Sequence, residues 1–128
     1  FRSMDWEGDE IIVPMVDARR MEVFTGAFNF SLEDVIKEGP VILDEDSFKS
    51  LYNERKVIFL GDGSTKFQNL YGGDNAEWLG EIMPHARDMM ALSEKYLREK
   101  RFIDVAYATP NYLKEYQTTI PKNKVINS

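Results

Sequence analysis

Residues 57–64, with the sequence VIFLGDGS, decide the fold class of this 128-residue chain. Residues 57–60 show no polar alternation, which is typical of a central strand covered on both faces. The Gly-Asp-Gly-Ser sequence that follows indicates a tight turn, and residues 66–71 predict a short helix capped by Ser64 or Thr65. Strand, turn and helix in this order begin a βαβ unit, so the stretch predicts an α/β fold.

Upstream of this stretch, the pattern predicts antiparallel strands. Residues 11–16 are apolar and β-branched, residues 21–30 alternate loosely, and the polar break at 17–20 predicts a hairpin between them. Pro14 predicts an edge or a bulge, because proline cannot donate to a ladder. Residues 31–38 predict a third strand that ends in a turn at Gly39-Pro40, with a helical turn as the alternative. The result is a mixed sheet.

Downstream and between the strands, the spacing predicts helices. A short helix is expected to begin with Asp44 as its N-cap, to bury Phe48, Leu51 and Tyr52, and to end near residue 55. The longest helix is expected to begin at Pro84, and residues 102–108 predict one more strand-like segment. Apolar residues in and just before the long helix predict core packing; they are Met83, Met89, Met90, Tyr96 and Leu97.

Composition excludes several kinds of site. The chain has no cysteine, which rules out disulfides, a thiol nucleophile, iron–sulfur ligation and cysteine-bound zinc. Its one histidine, His85, is predicted to be an ordinary helix-start side chain, and a Ser-His-Asp triad would depend on it alone. The carboxylates at 33–34 and 44–46 are interpreted as solvated loop and helix-start charges. No catalytic residue and no metal site is predicted.

Charge and chain ends add two expectations. Residues 1–64 carry 14 acidic and 7 basic side chains, whereas residues 65–128 carry 8 acidic and 9 basic ones. Because the net charge of −6 repels polyanions, a nucleic-acid contact would require a local basic patch. There is no apolar run of membrane-spanning length and no signal or transit peptide pattern, so no membrane contact is expected. The start at Phe1, without a cap or strand approach, predicts a chain cut from something longer; the alternative is a lost start residue. Phe1 and Trp6 are candidates to cover an apolar patch left by a missing domain.

Two stretches are candidate sites. Gly61-Asp62-Gly63-Ser64 lies between a strand and a helix, where glycines permit close approach of a phosphate. It lacks the third glycine of a dinucleotide fingerprint and the lysine of a P-loop, so a structural tight turn is the competing interpretation. Asp17 and Arg19 lie at a strand end, where an acid binds a metal or an arginine binds phosphate. The alternative is a buried Asp17 that pairs with Arg19 or Arg20.

Four motifs in register resemble the second half of the bacterial TsaB proteins, also called YeaZ and described as glycoprotease-like. Residues 16–24, VDARRMEVF, resemble the family's DAR hairpin, and residues 57–63 are similar to its strand followed by G-x-G. Residues 84–97 are similar to the long helix after a proline, and residues 108–113, ATPNYL, to the terminal P-x-Y-L motif. Lys114 stands where the family often has arginine, so it keeps the charge and loses the guanidinium fork.

The resemblance implies one lobe of an actin-like ATPase fold, related to ribonuclease H. Residues 1–10 would then lead in from a missing N-terminal lobe, residues 11–116 form the C-terminal lobe, and residues 117–128 form a flexible tail. It also implies a cytoplasmic, non-catalytic subunit without a cofactor. Such a subunit supports threonylcarbamoyl transfer to tRNA by a TsaD-like catalytic subunit and a TsaE-like ATPase, contacts tRNA indirectly, and can form a homodimer. Asp17, Arg19, Gly61 and Gly63 would hold the fold at an old nucleotide cleft.

Two alternatives remain open. The loop at 61–64 binds ATP, and the protein is an ATP-hydrolysing or peptidase-like enzyme of the same superfamily. Otherwise the aromatic C-terminal region binds RNA or a protein. Its candidate residues are Phe102, Tyr107, Tyr112, Lys114 and Tyr116, which place rings beside a positive charge.

Overall fold

The computed structural model describes residues 8–53, 55–71 and 74–114. Five strands form one sheet in the order β3-β2-β1-β4-β5; they are β1 (Ile11–Asp17), β2 (Glu22–Phe28), β3 (Asp34–Ile42), β4 (Val57–Leu60) and β5 (Ala76–Trp78). The helices of this part of the chain are α1 (Lys49–Tyr52), α2 (Ser64–Gln68) and α3 (Met90–Arg98), with a 3-10 turn at Ala86–Met89 directly before α3. The predicted α/β class is confirmed.

The sheet is mixed, as expected. β1 pairs antiparallel with β2 and β2 with β3, whereas β1 pairs parallel with β4 and β4 with β5. The hairpin after Asp17 and the third strand are therefore confirmed. β3 does not end before Gly39-Pro40 as predicted but continues to Ile42. It lies at the edge of the sheet, where a proline within a strand is tolerated.

Pro14 is the main departure from the predicted strand pattern. The strand that contains it lies in the middle of the sheet, not at an edge. The pairs between β1 and β2 pass from Ile12 with Phe28 directly to Met15 with Thr25, so the ladder is interrupted around the proline. The Thr25 hydroxyl donates to the Pro14 carbonyl at 2.7 Å, so this carbonyl has a hydrogen-bond partner where the ladder is interrupted. The carbonyl of this central proline therefore keeps a donor from the neighbouring strand.

The core lies between the sheet and the helices α1 and α2. All four residues of β4 are buried, as predicted from their continuous apolar run. Phe67 of α2 is fully buried and makes edge contacts with Phe48 and Phe59, with ring centroids 5.4 and 5.2 Å apart. Because aromatic rings in such pairs contribute beyond their buried area, this cluster fixes the helices on the sheet.

The fifth strand was not predicted. β5 has only three residues, too few for an alternating pattern to be recognised. Trp78 holds it in place, because its ring stacks on Phe59 with centroids 4.7 Å apart. The Asn75 side-chain amide, just before β5, also donates to the Tyr52 carbonyl at 2.9 Å.

The first two helices begin at other residues than predicted. Asp44 is not the N-cap of α1: its carboxylate accepts from the Ser47 hydroxyl at 2.8 Å and forms a turn, and the helix begins at Lys49 after Phe48 in the left-handed region. The hydrogen bond from Lys49 holds the pKa of Asp46 below its ordinary value. Phe48 and Tyr52 are buried as predicted. α2 begins at Ser64, with Gly63 as its N-cap residue.

The C-terminal part corrects two further predictions. The long helical stretch begins after His85, not at Pro84, because Asp88 accepts a hydrogen bond from the His85 amide at 2.8 Å. Its apolar side chains are exposed, not core, because helical periodicity shows that one side is apolar but not what covers it. Residues 102–108 form no strand; they contain a turn and are exposed. The predictions for Phe1, Trp6, Tyr116 and the tail at 117–128 lie outside the described residues.

The core assignment predicts a large loss of stability for Phe67→Ala. Removing a fully buried aromatic ring at this position is expected to lower the free energy of unfolding by about 3–5 kcal/mol, since transfer and cavity costs add. Phe102→Ala is the matched control, because Phe102 is 70% exposed, and it should change stability by less than about 0.5 kcal/mol. Urea unfolding followed by circular dichroism measures both, and equal effects would contradict the core assignment.

Candidate functional site

The carboxyl ends of the parallel strands β1 and β4 form the candidate site. Ligands of open α/β sheets bind beyond such strand ends. Asp17 ends β1, and residues 61–64 follow β4 directly. The fold therefore brings together two stretches that sequence analysis had selected separately.

Gly61 fixes how closely the loop approaches β1. Its φ of +94° lies in the region that favours glycine, and a Cβ at this position would be 2.3 Å from the Met15 carbonyl oxygen. Its N–H donates to the Gly80 carbonyl at 2.9 Å. Gly61 is therefore required by the backbone packing itself.

The rest of the loop is bonded to β1 and to itself. The Gly63 amide donates to the Met15 carbonyl at 3.1 Å, and the Ser64 amide and hydroxyl both donate to the Gly61 carbonyl, at 3.1 and 2.7 Å. Asp62 accepts from the Asp17 amide at 2.8 Å. Phosphate cradles use free amide donors, whereas the amides of Gly61, Gly63 and Ser64 are engaged here. This favours the tight-turn interpretation, and nucleotide binding by the loop stays a prediction.

Lys66 is the partner of Asp17. The sequence predicts Arg19 or Arg20 as the partner of a buried aspartate, but the Asp17 carboxylate forms its ion pair with the Lys66 ammonium and is half exposed. The ammonium also donates to the carbonyls of Ala18 and Glu22, at 2.5 and 3.3 Å. Both arginines are exposed on the hairpin. Sequence reasoning missed Lys66 because it is 49 positions from Asp17 and carries no motif.

An apolar cavity of about 310 Å³ lies beside this loop. Pro14, Val16 and Leu60 line it from the sheet, and Met83 and Asp88 line it from the segment that leads to α3. Asp62 and Asp88 are its acidic groups. No sequence pattern indicates this pocket, because Pro14 and Met83 on its two sides are 69 positions apart in the chain.

The remaining candidates lie apart from the loop. His85 is exposed and precedes the 3-10 turn, in agreement with its predicted structural role. Lys114 binds both carboxylate oxygens of Glu22, at 2.8 and 2.9 Å, so its charge is paired with β2. Phe102, Tyr107 and Tyr112 are exposed. A search of the described residues found no cluster of three metal-ligating side chains and no helix long and apolar enough to cross a bilayer.

Comparison with known proteins shows a fold relationship. No protein-family model and no curated protein matches the sequence. The fold is similar to the crystal structure of an uncharacterized protein with similarity to peptidase YeaZ from Pseudomonas aeruginosa, with a TM-score of 0.62 and 20% identity. The match covers 88% of this chain and 53% of the other, so the chain spans about half the length of that protein. The chain therefore has a YeaZ-like α/β fold, in agreement with the expected fold class.

Gly61→Ala tests the close packing of the loop against β1. The added Cβ meets a backbone oxygen in a positive-φ conformation, so the free energy of unfolding should fall by more than about 2 kcal/mol. Gly39→Ala is the control, because a Cβ there meets nothing within 4 Å; its effect should stay below about 1 kcal/mol. Chemical denaturation gives both values, and similar losses would mean that Gly61 is not required for packing.

Lys66→Met tests the contacts between Lys66 and the hairpin of β1 and β2. The variant keeps the side-chain length but leaves the Asp17 carboxylate and two carbonyls without their donor, and it should cost about 1–3 kcal/mol of stability. Arg19→Met removes an exposed charge from the same hairpin and should cost less than about 0.5 kcal/mol. Thermal unfolding of the pair decides the matter: an arginine variant as unstable as the lysine variant would overturn the assignment.

Proposed function

We propose that this chain is the C-terminal lobe of a YeaZ-type, TsaB-like scaffold subunit without chemistry of its own. In this proposal the complete protein supports threonylcarbamoyl transfer to the tRNA adenosine next to the anticodon. A TsaD-like subunit carries out the transfer with a TsaE-like ATPase, in the cytoplasm, and the lobe contacts tRNA only indirectly.

The observation that carries the proposal is that the loop after β4 spends its polar groups on hydrogen bonds within the protein. In an α/β sheet this position is where a ligand would bind. Here the Gly61 and Gly63 amides bond to other backbone carbonyls, and the Asp62 carboxylate caps the Asp17 amide. The polar groups at the strand ends therefore hold the sheet together, which fits a subunit that shapes an assembly.

The exposed C-terminal segment gives a second line of support. Its apolar side chains, from Met83 through α3 to Tyr112, are left uncovered in the part of the chain that the structure describes. Large exposed apolar patches mark interaction surfaces. A lobe with a self-bonded strand-end loop and a wide apolar surface is better suited to hold other parts of an assembly than to turn over a substrate.

Reconstitution of the tRNA modification tests this function. The complete protein, added to a TsaD-like subunit, a TsaE-like ATPase, ATP, the threonylcarbamoyl donor and unmodified tRNA, should restore the modified adenosine, which mass spectrometry of nucleosides detects. Omission of the TsaD-like subunit should abolish the product, because the catalytic residues are proposed to lie there. Product formed without that subunit, or none formed with it, would refute the proposal.

Met90→Glu gives the matched variant for the same assay, with Glu45→Ala as control. Met90 belongs to the exposed apolar side of α3, whereas Glu45 lies in an exposed turn before α1. A buried charge at an interface is costly, so the first variant should lower the yield of modified tRNA at least about tenfold if α3 is needed for assembly. The control should leave the yield unchanged.

A further inference from the structure

The cavity beside the loop at 61–64 lies where an α/β sheet binds its ligands, beyond the carboxyl ends of β1 and β4. Its volume of about 310 Å³ is at the lower end of the range for small-molecule sites, so it suits a compact ligand. The amides of Gly61, Gly63 and Ser64 are engaged in backbone bonds. At this edge of the sheet, the cavity is therefore a better candidate for ligand binding than the loop itself.

The walls of the cavity are mainly apolar, and some of their side chains are exposed. Val16 and Met83 lie on its two sides and are 55% and 59% exposed. An apolar group that enters the cavity removes part of this surface from water, which is favourable in proportion to the buried area. Because a cavity of about half this volume already holds a benzene molecule in other proteins, the ligand is expected to carry an apolar body of at least one ring.

The walls are poorly suited to an anion. Pro14 and Pro84 have no N–H, and the N–H of Gly61 already donates to a backbone carbonyl at 2.9 Å, so these three positions offer an anion no donor. The carboxylates of Asp62 and Asp88, which also line the cavity, repel a phosphate or another carboxylate. The charge of the cavity therefore favours a cation.

Both carboxylates are held in place by backbone amides. Asp62 accepts from the Asp17 amide and Asp88 accepts from the His85 amide, each at 2.8 Å and each through one oxygen. Within the described residues, neither carboxylate forms an ion pair, and neither second oxygen accepts a hydrogen bond. An ammonium group at the cavity would thus meet carboxylates whose orientation is already fixed, which lowers the ordering cost of binding.

We propose that this cavity binds a small organic amine, with its apolar body between Val16 and Met83 and its protonated nitrogen at Asp62 and Asp88. The apolar walls select the body, and the two fixed carboxylates select the charge. A lysine side chain of a protein partner carries the same charge but has no ring to fill the cavity. The inference does not rest on the proposed function, because all the groups involved belong to this chain.

Three probes of similar size and different charge test the preference for a cation. They are 2-phenylethylamine, 2-phenylethanol and 3-phenylpropanoate, which are cationic, neutral and anionic at neutral pH. Each is titrated into the ¹⁵N-labelled chain, and the amide chemical shifts are followed by NMR. The amine should bind at least about fivefold more tightly than the alcohol, and the propanoate should bind most weakly. The largest shifts should fall on amides of the cavity walls, such as those of Val16 and Met83, and not on Gly39 in β3.

Asp62→Asn/Asp88→Asn removes both charges and keeps an oxygen acceptor for each backbone amide. In this double variant the amine should bind no more than about twofold better than the alcohol, and the affinity for the alcohol should stay as it is in the unmodified chain. Asp104→Asn is the matched control, because Asp104 is an exposed aspartate that accepts from the Ala106 amide at 3.0 Å and does not line the cavity. The control should keep the full preference for the amine, and circular dichroism verifies the fold of both variants.

The proposal is overturned if millimolar amine shifts no amide of the cavity walls, if the unmodified chain binds alcohol and amine equally, or if a folded double variant keeps the preference. The comparison of the three probes on the unmodified chain remains decisive if the double variant does not fold. Nα-acetyl-lysine methylamide represents the lysine of a protein partner and should bind more weakly than 2-phenylethylamine. Tighter binding of the lysine derivative would assign the cavity to a protein side chain and overturn the small-molecule assignment.

Discussion

The structure depends on the close approach of the Gly61 turn to the backbone of Met15. This approach brings the end of β4 against the end of β1. β1 and β4 are the pair at which the antiparallel part of the sheet meets the parallel part. Everything at the carboxyl edge follows from it: Gly63 bonds to Met15, Asp62 caps the Asp17 amide, and α2 begins where its Lys66 reaches the hairpin. A side chain at position 61 would separate these parts.

The same constraint gives the glycines of the strand-end loop a use in backbone packing. Glycines at such a turn permit either a ligand or another piece of backbone to come close. Here the space is taken by β1, and the amides that would face a ligand donate to backbone carbonyls. The similarity to a YeaZ-like structure concerns the fold alone.

Sequence patterns predicted the structure best where neighbouring residues alone determine it. The continuous run of β4 and the polar break at Asp17 predicted a central strand and a hairpin, and both are present. Prediction failed where a distant residue decides the outcome. Thr25 donates to the carbonyl of Pro14 in a central strand, Phe59 holds the three-residue β5 through Trp78, and Lys66 takes the place expected for Arg19 or Arg20. The apolar side of α3 was recognised, but periodicity does not specify its cover.

The parallel pairing of β1 with β4 also sets the order in which the sheet can assemble. β1, β2 and β3 are joined by short turns, so their antiparallel pairs require only local loop closure. Ile11 pairs with Val57, 46 positions away, and this closure loses more chain entropy before any contact is gained. The three-stranded meander is therefore expected to form early, and docking of β4 with its glycine turn is the late step that completes the sheet.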